Sequence, residues 1–174
     1  DGALHVIQYD FKHTWTVSYR HLLHMERQPI GWKQTVLIEN ARIETAALHA
    51  DRSGGLHVVA VEDDSAAGSL GETVLPVWYL HRRPGAVQWE SPVRIGRAGV
   101  YPHFGPRVQT DASGRVHVLF VGTTRGDVNN FDPLIYSVRS PSGTWSSETV
   151  RTMPLLAQDS APDFALDPQG VVHA

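Results

Sequence analysis

The 174-residue chain is long enough to bury a core of ordinary size, and its balance of 41% apolar to 19% charged residues suits a globular domain. A net charge of −3 supplies no field to hold a polyanion, so sequence-independent nucleic-acid binding is not expected. Cysteine is absent, which excludes disulfides, thiolate catalysis and zinc–thiolate sites, and no window approaches the roughly 18 continuous apolar residues of a membrane span.

Taken in chain order, the sequence divides into short extended runs separated by turn residues. Residues 1–42 open on DGALHV and continue through the polar loop YDFKHTW. The segment YRHLLHMERQ (residues 19–28) has some helical propensity but sits where a third strand must run to its turn, so a strand with an elongated loop is expected there. Trp32 and Val36 follow the turn QPIGW. Residues 43–99 carry DRSGGLHV, the loop EDDSAAGSLGET, the run VWYL, the turn RPGAVQW, and then Trp89 and Val93. In residues 100–156 the four runs are clearest: PRVQTD, RVHVLFV, PLIYSVRS and WSSETV, divided by ASG, GTTRGDVNNFD and PSGT. Residues 157–174 begin another unit and reach DPQGVVHA.

The period is about 55 residues. Histidines fall at His5, His57, His117 and His173, with gaps of 52, 60 and 56, and aspartates at Asp51, Asp111 and Asp167 occupy the turns before the last three. Tyr19, Tyr79 and Tyr136 form a third marker. Trp32, Trp89 and Trp145, each followed by a valine at Val36, Val93 or Val150, form a fourth. The expected fold is therefore all-β: a β-propeller of four-stranded antiparallel blades, with about three blades present as strands BCD, ABCD, ABCD and AB. Three blades do not close a ring, so the remaining blades are expected from the same parent chain or from further copies, and an exposed sheet face would otherwise invite aggregation.

The order of markers, a small-residue turn, the Tyr strand and then Gly-x-Trp, resembles the bacterial β-propeller repeats of the sialidase-like (BNR-type) superfamily. The resemblance spans the chain and implies architecture rather than activity. Repeats of that superfamily often carry an Asp-box, S-x-D-x-G-x-T-W. The nearest stretch, SPSGTW, lacks the aspartate and is one residue short, which counts against sialidase activity.

A residue repeated in every unit meets the same surroundings every time, whereas a site at a hub needs different groups from different units. The histidines, tyrosines and tryptophans are therefore expected to be scaffold, with each imidazole bonded to a backbone group or hydroxyl of the neighbouring strand. The aspartates suit Asx turns. Chemistry is expected in the irregular loops at the other end: residues 9–15, 38–45, 62–73, 96–107, 122–132 and 155–163. Their candidate ligand-binding residues are Asp10, His13, Glu62, Asp63, Arg107, Arg125 and Asp127. Tyr101, His103 and Arg107 form the densest group, in which Arg107 could clamp a carboxylate while Tyr101 and His103 serve as acid and base.

This inventory suits a glycan or acidic polysaccharide, handled by a carbohydrate-binding module, a polysaccharide lyase or a glycoside hydrolase. The alternative is an interaction scaffold that performs no chemistry. An extracytoplasmic or secreted parent is expected. No cofactor is expected: DVNNFD (residues 127–132) offers oxygen ligands of the kind calcium takes but lacks the alternating register, and His21 and His24 offer a zinc spacing without a helix face.

Overall fold

The computed structural model describes residues 3–13, 18–62, 75–98, 105–122, 131–154 and 162–174. Among these residues the chain is all-β. Sheet 1 is β1 (His5–His13), β2 (Ser18–Arg27) and β3 (Trp32–Ala41). Sheet 2 is β4 (Ile43–Ala50), β5 (Leu56–Glu62), β6 (Leu75–Arg82) and β7 (Val93–Ala98). Sheet 3 is β8 (Arg107–Thr110), β9 (Val116–Val121), β10 (Phe131–Arg139) and β11 (Trp145–Pro154), and sheet 4 is β12 (Ala165–Leu166) with β13 (Val172–His173). Within each sheet, strands consecutive in the chain pair antiparallel, and none of the sheets closes on itself.

Two of the expected boundaries differ. The segment 19–28 is strand almost throughout, because β1 and β2 pair without a break from His5 opposite Glu26 to His13 opposite Ser18. The expected loop at residues 38–45 is also mostly strand, since only Arg42 separates β3 from β4. Here the extended pairing continues through residues whose polarity reads as loop, because the backbone ladder is indifferent to polar side chains.

The sheets pack face to face in chain order. Strand periodicity sends alternate residues of β5 to opposite sides: Val58 and Ala60 join Leu22 and Ala41 of sheet 1, while Val59 and Val61 join Val108, Val116, Val118 and Phe120 of sheet 3. On β9 the same alternation turns Leu119 and Val121 toward Phe164 ahead of β12. Both faces of β5 and β9 are covered, which is why LHVVAV and VHVLFV read as nearly unbroken apolar runs and are buried throughout. Each such Val or Leu contributes roughly 1.5–3 kcal/mol of burial free energy.

One end of each sheet carries tight turns. Asp111, Asp51 and Asp167 begin four-residue turns closed by Gly114, Gly54 and Gly170, and Gly114 adopts φ 80°, a conformation that favours glycine. The other end carries the irregular connections. The register irregularities in β2–β3, β4–β5, β6–β7 and β10–β11 fall toward that end, at Leu22, Thr45, Val77 and Leu134.

At the seam between sheets 2 and 3, a Cβ on Gly96 would lie 2.6 Å from Cζ of Phe120. Gly96→Ala is expected to destabilise the protein by about 1–3 kcal/mol in urea unfolding. Combined with Phe120→Leu, which clears the space, the loss should be smaller than the sum of the single changes; strict additivity would show that the contact does not govern the seam.

Candidate functional site

The turn end is built from a repeated three-residue chain. In sheet 2, Asp51 Oδ1 accepts hydrogen bonds from the backbone N–H groups of Ser53 and Gly55 and from the Ser53 hydroxyl. Its Oδ2 lies 3.1 Å from His57 Nε2, and His57 Nδ1 lies 2.7 Å from the Tyr79 hydroxyl. Sheet 3 repeats the arrangement with Asp111, His117 and Tyr136, at 3.2 Å and 2.6 Å. In sheet 4, Asp167 holds His173 at 3.4 Å.

The protonation states follow from burial. Burial lowers His57 to about 4, more than Asp51 raises it, so the ring is neutral. A neutral ring bonded to a carboxylate at Nε2 donates from that nitrogen and accepts the Tyr79 hydroxyl proton at Nδ1. Burial pushes Asp51 upward, but the hydrogen bonds from Ser53, His57 and Gly55 outweigh it and hold the carboxyl at about 2. Burial also raises the Tyr79 hydroxyl well above its usual range. An Asp–His–hydroxyl chain has the connectivity of a nucleophilic triad, but this one combines a histidine too weakly basic to take a proton with a buried phenol that is reluctant to lose one. It is a structural clamp, as the repetition of the histidines implies.

In sheet 1 the register corrects the sequence reading. Tyr79 stands opposite Val59 and Tyr136 opposite Leu119, in each case two residues beyond the repeated histidine. The residue opposite Ile7, two beyond His5, is His24; Tyr19 stands opposite Lys12, far along the strand. His24 Nε2 lies 3.1 Å from His5 Nδ1, in place of the tyrosine hydroxyl. Burial first, then Arg82 and His5, lower His24 to about 4. The signal was in the spacing: Tyr79 and Tyr136 precede their tryptophans by ten and nine residues, Tyr19 precedes Trp32 by thirteen, and His24 precedes it by eight.

A fifth repeated position carries arginine. Arg27, Arg82 and Arg139 occupy one repeat position, opposite Leu4, Leu56 and Val116. Arg82 donates to Glu26 of sheet 1 at 2.8 Å, and the Arg139 guanidinium lies 5.7 Å from the Tyr79 ring centre of sheet 2. The tryptophans act likewise across the seams: Trp89 meets His24 edge-on at 5.1 Å and Trp145 meets Tyr79 edge-on at 5.0 Å. Lateral ties run along the first strands, where the Thr110 N–H donates to His49 Nε2 at 3.2 Å and Gln109 Nε2 donates to the Phe164 carbonyl at 2.8 Å.

The loop end holds the other candidates. Glu62 ends β5 and accepts a hydrogen bond from Trp78 Nε1 at 2.6 Å. Arg107 begins β8; its Nη1 donates to the carbonyls of Gly105 and Pro106, and its Nε lies 3.3 Å from Asp163 Oδ1. Gly105 passes so close to β4 that a Cβ would meet Thr45 Oγ1 at 2.6 Å. Asp10 and His13 lie on β1 by backbone, with side chains outside the described set, while Asp63, Tyr101, His103, Arg125 and Asp127 lie outside the described residues. The zinc spacing does not survive extension: residues three apart on a strand face opposite ways, and His21 Nδ1 accepts the Asn40 N–H while His24 turns to His5.

Among the described residues, the groups with a displaced pKa belong to the turn-end networks. At the loop end the Arg107 guanidinium can hold an anion. No protein-family model matches the chain, and no curated protein is similar to it.

Two outcomes follow for the clamp. Tyr79→Phe leaves Nδ1 of a buried imidazole without its donor and should cost about 1–3 kcal/mol in urea unfolding, whereas an unchanged midpoint would deny the bond any structural role. His24 and His57, at about 4 when folded against an ordinary 6.5, bind fewer protons in the folded than in the unfolded protein between those values. Their contribution is full above pH 6.5 and is lost as the pH falls toward 4. Unfolding free energy measured across that window should decline with acidification, and a flat profile would contradict the buried neutral state.

Proposed function

We propose that the chain is a run of β-propeller blades, of the kind the sialidase-like repeats resemble, whose loop end binds a polar, carboxylate-bearing glycan. The observation that carries this reading is the division of labour between the two ends. The repeated Asp–His–Tyr chains occupy the turn end, while the non-repeating polar segments leave the other, where Arg107 presents a guanidinium that remains more than one-third exposed. Binding is the favoured role, since the Arg107 guanidinium is oriented by two backbone carbonyls and opposed by an exposed carboxylate that an incoming anion can replace. An acidic polysaccharide would be met outside the cytoplasm, which makes the parent protein extracytoplasmic.

Asp163 then acts as an internal stand-in for the ligand. It is mostly exposed, lies at 3.3 Å rather than in a tight bidentate pair, and can yield Arg107 to an incoming uronate. The second reading, an interaction scaffold without a small-molecule site, is favoured by the apolar residues Leu4, Val6 and Trp32 that sheet 1 exposes.

Glycan-array binding together with an absorbance assay for uronate elimination separates these readings. Retention of uronate-containing glycans is expected, with Arg107→Ala weakening it about tenfold or more, Asp163→Asn strengthening it, and no elimination product. Steady release of unsaturated product would establish a lyase, and silence in both assays would favour the scaffold.

A further inference from the structure

Cross-strand register lines up three histidines in the interior of the molecule. His49 of β4 stands directly opposite His57 of β5, which stands directly opposite His81 of β6, so the three occupy one row across sheet 2. Their ring centroids are 6.3 Å apart between His49 and His57 and 4.7 Å apart between His57 and His81. Sheet 3 keeps the middle member alone, its row being Gln109, His117 and Val138. The repeated clamp accounts for His57 but for neither of its neighbours.

His49 reaches across the seam to sheet 3. Its Nε2 lies 2.9 Å from the Thr110 hydroxyl and accepts the Thr110 backbone N–H at 3.2 Å, so that nitrogen offers a lone pair and Nδ1 carries the hydrogen. A backbone N–H can only donate. A proton on His49 Nε2 would set N–H against N–H, and this tie between β4 and β8 would be lost. Burial disfavours the charged ring, holding His49 below its usual range against the pull of Asp51, and it holds His57 down in the same way.

The surrounding charges are already engaged. Asp51 is bonded to Ser53, Gly55 and His57. Beside the row, Glu90 lies 3.4 Å from His81 Nδ1 and accepts from Arg83 at 2.6 Å. From sheet 3, the Arg139 guanidinium covers the Tyr79 ring, Trp145 meets that ring edge-on, and Asp111 is paired with Arg115 and His117. Arg82 turns to Glu26 on the opposite seam. Charges on adjacent rings of the row would repel one another in a poorly solvated seam.

We propose that the histidine row is an acid-operated latch between sheets 2 and 3: protonation of His49 breaks its bond to Thr110, and charge gathering along the row frees β8 from β4 at the turn end. The strand ladders carry no titrating group, so each sheet stays folded as the latch opens. The latch needs no ligand and stands independently of the glycan reading.

The Thr110 amide reports the latch directly. Hydrogen exchange read by NMR on the 174-residue chain, corrected for intrinsic rates, is set against the imidazole titration curves from about pH 7 to about pH 4. Because the folded value of His49 lies below the ordinary 6.5, the tie is complete above 6.5 and is lost as the pH falls through the folded value. Thr110 protection is expected to fall about tenfold or more as His49 titrates, while the Val59 and Val118 amides stay protected. His49→Gln places at this position the residue that sheet 3 carries there; its amide oxygen can accept the same N–H without titrating, so protection should remain and its pH dependence should vanish. Thr110 protection indifferent to the His49 titration would overturn the proposal, as would a fall that persists in His49→Gln. Simultaneous loss of protection at Thr110, Val59 and Val118 would overturn it as well, since that is global unfolding and not the release of one seam.

Discussion

An imidazole buried between two sheets has to satisfy two nitrogens without carrying a charge, and most of this structure's turn end follows from that requirement. One nitrogen needs an acceptor and the other a donor. Asp51 and Asp111 supply the acceptor from turns that their own carboxylates fold, and Tyr79 and Tyr136 supply the donor from the adjacent strand. The clamp therefore joins a turn, the strand after it and the next strand in a single hydrogen-bonded unit. Low dielectric strengthens each bond and makes an unpaired member costly. His24 in place of tyrosine shows that the requirement is for a partner and not for a phenol, since two neutral imidazoles also present one donor to one acceptor.

The same clamp sorts the ends of the molecule. Carboxylate, imidazole and phenol are consumed by one another at the turn end, which leaves them poorly suited to reacting with anything else. The other end carries side chains that the repeat does not specify, Arg107 and Glu62 among them. Arg107 illustrates the difference. Its guanidinium is steadied by two carbonyls of its own approach segment and opposed, among the described residues, by the mostly exposed carboxylate of Asp163, so it is oriented without being fully committed. Glu62, bonded to Trp78, is oriented in a comparable way from the neighbouring sheet.

Stacking supplies the third element. Because side chains alternate along a strand, β5 and β9 each serve two seams, and the clamp, the tryptophans and the arginines lock those seams at the turn end while Gly96 and Gly105 permit close approach elsewhere. A face built to this plan is apolar wherever it occurs, whether or not another sheet covers it. The exposure of Leu4 and Val6 against the burial of Leu56 and Val58 is a consequence of position and not of composition.

The amino-acid order by itself determined the all-β class, the period, the division into three, four, four and two strands, the aspartate turns and the scaffold role of the repeated histidines. Each of these is a local property of alternation, turn chemistry or repetition. Tertiary structure decided the rest. Tyr19 looked like the third tyrosine because VSYR resembles VWYL, yet uninterrupted pairing of β1 with β2 places it opposite Lys12 and gives its expected position to His24. Arg27, Arg82 and Arg139 were invisible as a set, since arginine among varied neighbours carries no pattern until its cross-strand partner is known. Arg107 was legible as a cation but not as one already opposed by Asp163, fifty-six residues away. Register and sheet-to-sheet contact join residues distant in the chain, and no window along the sequence contains both members of such a pair.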